Sequence, residues 1–255
     1  MSEKILRIQG PDQNGIYGRI RETGSDKLII HLHGMTHNMD HMLEVMSADF
    51  FTQHGFDHCR ISLYARVDDS RNLANSTLST HVRDIRAVLE HFRDMYREIY
   101  ITAHSLSALA VLILCSDDIG GIKAISFWDP AFDVTHFWST GDYLHYMPEY
   151  KQYQLNYGAV FVLGEDMVRE IAEYPDAKCL ELAGNCKIPV QMVIPEQSIF
   201  LASPHTSPEN YDRAFSGPFS LVHIKGTDHR FATQGKQKEL FEIVLKYFNS
   251  DNDVC

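Results

Sequence analysis

Two residues set far apart in this 255-residue chain, Ser105 and His229, could together do nucleophilic chemistry. A serine hydroxyl is a poor nucleophile near neutral pH and needs a base that takes its proton and later returns it. Ser105 lies in Ala103-His104-Ser105-Leu106-Ser107, with a small residue two places to either side. Residues 99–102 before it form a short β-type run, and the apolar, alanine-containing run to Leu114 suits a buried helix. A strand that turns at once into a helix forces the central residue into a strained bend and pushes its side chain into open space. Only small flanking residues let the two backbones pass that closely. Ala103 and Ser107 stand where such an elbow usually has glycine, and an ordinary serine at a helix N-cap is the plainer reading of these five residues.

His229 lies in Lys225-Gly226-Thr227-Asp228-His229-Arg230-Phe231, after the last strand of the pattern. A glycine-containing loop there would let an imidazole swing over the sheet edge toward Ser105; a surface loop histidine is the alternative in a chain with 14 histidines. Acyl chemistry also needs two donors for an oxyanion. The N–H of Leu106, at a helix N-terminus, would supply one, and the loop after His33-Gly34 the other through Met35, with Gly34 permitting the turn; a glycine that merely ends a strand is the alternative.

The elements that must position these groups alternate. Residues 4–9 and 15–21 read as a hairpin around the turn signal of residues 10–15, and residues 27–33 as a strand apolar enough to be buried on both faces. A helix follows over 39–54 and a strand over 58–64. From Thr77, Val82, Ile85, Leu89, Phe92 and Tyr96 recur at helical spacing. Strands over 122–127, 189–194 and 220–224 and helices over 165–173 and 237–248 complete the pattern. Such alternation means a mostly parallel sheet with helices on both faces, whose ligands bind beyond the carboxyl ends of the strands. Those ends read His33-Gly34, Ser105, Asp129, Pro195-Glu196 and residues 226–229.

Composition narrows the partners. A net charge of −11 argues against nucleic acid, which calls for clustered Lys and Arg. No apolar run approaches the roughly 18 residues of a membrane span, and the polar first residues do not resemble a signal peptide. Five scattered cysteines, Cys59, Cys115, Cys179, Cys186 and Cys255, read as free thiols in a reducing compartment, so a cytoplasmic protein is expected. His31, His33, His37 and His41 raise the question of a metal, but Met35 and Thr36 stand where the His-x-His-x-Asp-His run of metallo-β-lactamases has its Asp and final His. No metal site is expected.

Over nearly the whole chain these pieces resemble the α/β-hydrolase family. His-Leu-His-Gly-Met, the helix start at residues 77–85, Ala-His-Ser-Leu-Ser, Ile-Pro-Val-Gln-Met-Val and Gly-Thr-Asp-His-Arg-Phe fall in family order. The likeness is nearest to bacterial serine esterases of the cinnamoyl- and feruloyl-esterase type and to acylaminoacyl-peptidase-like domains. It implies one domain over 1–255, an α/β-hydrolase fold with a mostly parallel sheet of about eight strands and helices on both faces, and a small helical cap over 132–187 between strands six and seven. It further implies a serine hydrolase that cleaves a small-molecule carboxylic ester through an acyl-serine, with Ser105 as nucleophile, His229 as base, and Met35 and Leu106 at the oxyanion; no cofactor is implied. The chain departs from the family at the acid, where Ser198 occupies the usual aspartate position. Glu196 is the first candidate to orient His229, and Asp129, at the end of the neighbouring strand, the second. An acyltransferase or peptidase on the same scaffold, or a binding protein that has lost the acid, are the alternatives. Eight aromatic rings between Phe132 and Tyr157 either close an apolar pocket or fasten the cap to the sheet.

Overall fold

The computed structural model describes residues 3–67, 69–117, 119–200 and 207–250; Cys255 lies outside them. The strands are β1 (Glu3–Gln9), β2 (Gly15–Arg21), β3 (Lys27–Leu32), β4 (Asp57–Ser62), β5 (Glu98–His104), β6 (Ile122–Trp128), β7 (Leu144–Met147), β8 (Gln152–Asn156), β9 (Val160–Gly164), β10 (Val190–Gln197) and β11 (Phe219–Asp228). The helices are α1 (Met42–Gln53), α2 (Leu78–Phe92), α3 (Leu106–Cys115), α4 (Val134–Ser139), α5 (Glu165–Ala172), α6 (Asp176–Asn185), α7 (Pro208–Ala214) and α8 (Lys236–Phe248).

Eight strands form one sheet in the order β1-β2-β4-β3-β5-β6-β10-β11. The β1–β2 hairpin pairs antiparallel and β2 joins β4 antiparallel; from β4 to β11 every pairing is parallel. Period two divides the central strands between two cores. In β3, Leu28, Ile30 and Leu32 join the core that holds α2, α3 and α6, whereas Ile29 joins that of α1 and α8. The helix α3 is buried along almost its whole length, which explains a sequence apolar all round. Cys59, Cys115, Cys179 and Cys186 are free and buried. Among the described residues no helix is long and apolar enough to cross a membrane.

The insertion between the sixth and seventh strands of this sheet is where expected, but it is not simply helical. Between α4 and α5 it forms a three-stranded antiparallel sheet, β7-β8-β9, with Leu144 opposite Leu155 and Tyr153 opposite Leu163. Aromatic and β-branched residues in runs of four or five favour pleated structure, and polar residues interrupting them conceal the period of two. A second difference lies at β11, which runs on to Asp228 instead of ending at Ile224. Its register with β10 shifts between Pro195 and Gln197, and Gly226 takes a φ of 70° there, as a bulge requires. His229 therefore leaves the strand directly rather than riding on a long loop.

Candidate active site

Ser105 is the junction between β5 and α3 and holds φ 58° and ψ −126°, the strained bend foreseen from its neighbours. Hydrogen bonds on both sides hold the bend: Ser105 N–H donates to the Trp128 carbonyl at 3.1 Å, and its own carbonyl accepts from Ala108 and Ala131, each at 3.1 Å. Ser107, in place of glycine, is accommodated because its hydroxyl reaches the carbonyls of Leu32 at 3.0 Å and His104 at 2.8 Å. That ties the elbow to the end of β3.

Gly34 follows that end, and its reason differs from the one expected. The left-handed residue of the turn is Thr36, with φ 71°, and not Gly34. What Gly34 provides is proximity, since a Cβ on it would lie 2.9 Å from Ser105 Cβ and 3.1 Å from His104 Nδ1. His33 fixes the next peptide. Its Nε2 accepts from Leu63 N–H at 3.1 Å, so its Nδ1 carries the proton and donates to the Gly34 carbonyl at 2.8 Å. Burial holds this imidazole down to about 4 and keeps it neutral near pH 7. In a trans peptide the N–H points opposite to the C=O, so tethering the Gly34 oxygen turns the Met35 amide the other way. Neither Met35 N–H nor Leu106 N–H has a hydrogen-bond partner among the described residues.

Asp129 immediately follows β6, wholly buried, with φ 40° and its N–H bonded to the Val193 carbonyl at 2.9 Å. Because His104 and Trp128 are register partners, Ser105 and Asp129 are neighbours at adjacent strand ends. His229 Nδ1 donates to Asp129 Oδ2 at 2.6 Å, and Ser198 Oγ donates to Oδ1 at 2.6 Å. Glu196, the first candidate to meet His229, does not do so. It is exposed, and its carboxylate accepts the Gly226 N–H at 2.8 Å, bracing the bulge. The register shift between β10 and β11 places that backbone donor beside Glu196. His104, which sequence reasoning passed over, supports His229 from beneath. Its ring stacks on the His229 ring at 4.6 Å, and its Nε2 donates to the His229 carbonyl at 2.9 Å. Its position inside the Ala-His-Ser-Leu-Ser run was the available signal.

Ser105, His229, Met35 and Leu106 line one cavity of about 900 Å³. Among the described residues no hydrogen bond joins Ser105 to His229. Phe137, Tyr143, Tyr157 and Phe161 of the insertion and Phe200 beyond β10 form the apolar wall. Phe137 stacks on Tyr143 at 4.5 Å and meets Phe200 at 4.8 Å, and Phe200 in turn meets His229 at 4.8 Å. Phe132 and Trp138 serve the fold as core residues, whereas Tyr150 is exposed and does neither. Both readings of the ring-rich stretch thus hold, for different residues.

No protein-family model matches the chain, and no curated protein matches it by sequence. Solved structures do. Est1E from Butyrivibrio proteoclasticus with ferulic acid bound superposes with a TM-score of 0.77 at 20% identity, over 95% of this chain and 97% of that one. The Pyrococcus furiosus esterase Pf2001 gives 0.72 at 17% identity, over 97% and 90%. Mouse alpha/beta hydrolase domain-containing protein 10 gives 0.71 at 14% identity, over 96% and 98%. Near-complete coverage on both sides shows that the chain has the α/β-hydrolase fold.

Proposed function

We propose that the protein is a serine hydrolase that cleaves carboxylic esters through an acyl-serine intermediate. The observation that carries this reading is the strained Ser105 lining a cavity it shares with a histidine whose far nitrogen is bonded to a buried carboxylate. In this reading Ser105 Oγ attacks the ester carbonyl while His229 Nε2 takes its proton, then returns it to the departing alkoxide. Asp129 holds the Nδ1–H, which fixes the tautomer and stabilises the imidazolium that forms. The amides of Met35 and Leu106 receive the oxyanion, and water repeats the sequence to free the acid. The loss of the acid, which favoured a non-catalytic reading, loses its ground once Asp129 rather than residue 198 partners His229. Ester-cleaving neighbours on the same fold, one of them with ferulic acid bound, and the aromatic wall both support an aromatic or apolar acyl group as substrate.

A fluorophosphonate probe tests the nucleophile. Labelling is expected for the wild type and not for Ser105→Ala, and an unlabelled wild type would end the proposal. A panel of p-nitrophenyl esters against aminoacyl anilides separates esterase from peptidase. Turnover is expected on the esters alone.

A further inference from the structure

Beside the Ser105 cavity, the loop after β3 and the first turn of α1 bring together His37, His41 and Glu44. The Glu44 side chain is wholly buried, and neither of its oxygens, nor Nδ1 of either histidine, has a hydrogen-bond partner among the described residues. The cause is local. A glutamate at the third position of a helix usually folds back onto the N-cap N–H, but here the N-cap His41 N–H donates to the Asn38 carbonyl at 3.2 Å. An ionised carboxylate taken out of water with both oxygens unbonded carries the penalty of an uncompensated buried charge.

The geometry suggests what compensates it. His37 Nδ1 lies 3.6 Å from Glu44 Oε1 and His41 Nδ1 3.5 Å from Oε2, both longer than ordinary hydrogen bonds. A tetrahedral ion with bonds of about 2.0–2.2 Å holds its ligand atoms about 3.3–3.6 Å apart, and each histidine stands at that distance from a different oxygen of Glu44. One ligand atom from each of the three residues lies within 4.8 Å of the other two. We propose that His37 Nδ1, His41 Nδ1 and the Glu44 carboxylate bind one divalent cation of the zinc class. Both imidazoles line the cavity, so the ion's remaining coordination faces it.

The competing arrangement is a protonated imidazole paired with Glu44. The His37 and His41 rings stack with centroids 4.0 Å apart, closer than two imidazoles sit on one tetrahedral ion, so binding would turn one ring. One proton leaves a second imidazole against a charged one, whereas one dication satisfies all three side chains. This ligand set differs from the His31-Leu-His33 run considered in the sequence, because Glu44 lies past the turn that brings it back. Through His37, two residues beyond Met35, the ion would also tie the proposed oxyanion loop to α1.

The test uses the whole protein, stripped with EDTA and titrated with Zn²⁺ by calorimetry and with Co²⁺ by visible absorption, so it does not depend on hydrolase activity. One equivalent of saturable binding with a tetrahedral Co²⁺ spectrum is expected. In His41→Ala and in Glu44→Gln, affinity is expected to fall by more than the roughly 10- to 100-fold that loss of an outer partner costs. The His41 side chain is 42% exposed, so its removal leaves the core intact, and the melting temperature of each variant verifies folding. No saturable binding to the wild type, or unchanged affinity in folded His41→Ala, would overturn the proposal and leave an ordinary histidine–carboxylate ion pair.

Discussion

The carboxyl ends of β6 and β10 each present a carboxylate to the same edge of the sheet, and the two have opposite fates. Asp129 is wholly buried, left-handed at the backbone, and joined to both His229 and Ser198. Glu196 is exposed and holds a backbone N–H of the neighbouring strand. Side-chain length favours Glu196, yet register decides. The parallel pairing of His104 with Trp128 sets Asp129 beside Ser105, while the bulge opposite Glu196 presents Gly226 to it. A buried carboxylate with two fixed donors can orient an imidazole; one at the rim, screened by water, contributes far less.

The largest effect that would break this contrast is a reversed ranking of two substitutions. Asp129→Asn is expected to lower ester turnover by about 10⁴, as loss of an orienting carboxylate does. Glu196→Gln should change it by no more than about threefold, since one backbone hydrogen bond contributes roughly 1 kcal/mol to the fold and none of it to the reacting atoms. Steady-state rates on one p-nitrophenyl ester decide between them. Next in size is Gly34→Ala. Its methyl would meet Ser105 Cβ at 2.9 Å, and a displacement near 1 Å can cost about 100-fold in rate, read as lost turnover with little change in melting temperature.

Ser198→Ala sharpens the comparison from the Asp129 side. Removing one donor from a carboxylate forfeits about 1.5–3 kcal/mol, so a turnover loss between about 10- and 150-fold is expected. Full activity would mean that His229 alone suffices to hold Asp129.

The smallest effect per step concerns the pH at which these rates are compared. Burial holds His31 and His33 down to about 4 and His81 to about 3. As pH falls below about 6.5 the unfolded chain protonates at these positions before the fold does. Their contribution is therefore complete above that pH and declines below it, by up to about 1.4 kcal/mol per pH unit for each group. His81 is buried, and neither ring nitrogen has a hydrogen-bond partner among the described residues, so His81→Leu should flatten the slope of melting temperature between pH 6.5 and 4. An unchanged slope would show that His81 takes up its proton without cost.

Much of the scaffold was legible because it follows from short-range rules. Apolar runs with a period of two or 3.6 located the sheet strands, α2, α3 and α8, and small residues around Ser105 announced the bend. The insertion was read less well, since β7, β8 and β9 are short, and their pairing partners rather than their own pattern make them strands. His33 and His104 were visible as letters, but their roles depend on which carbonyl each ring nitrogen reaches. Burial, not spacing, also distinguishes Glu44 from any other acidic residue in a first helical turn.

By itself the sequence determined the order of the main-sheet strands and their helices, the bend at Ser105 and the two strand-end carboxylates, because propensity, periodicity and turn sterics act over a few residues. Only the tertiary structure decided which carboxylate meets His229, why Gly34 must lack a side chain, and that His37, His41 and Glu44 converge. Strand register, a bulge and burial set those outcomes, and each arises from residues distant in the chain.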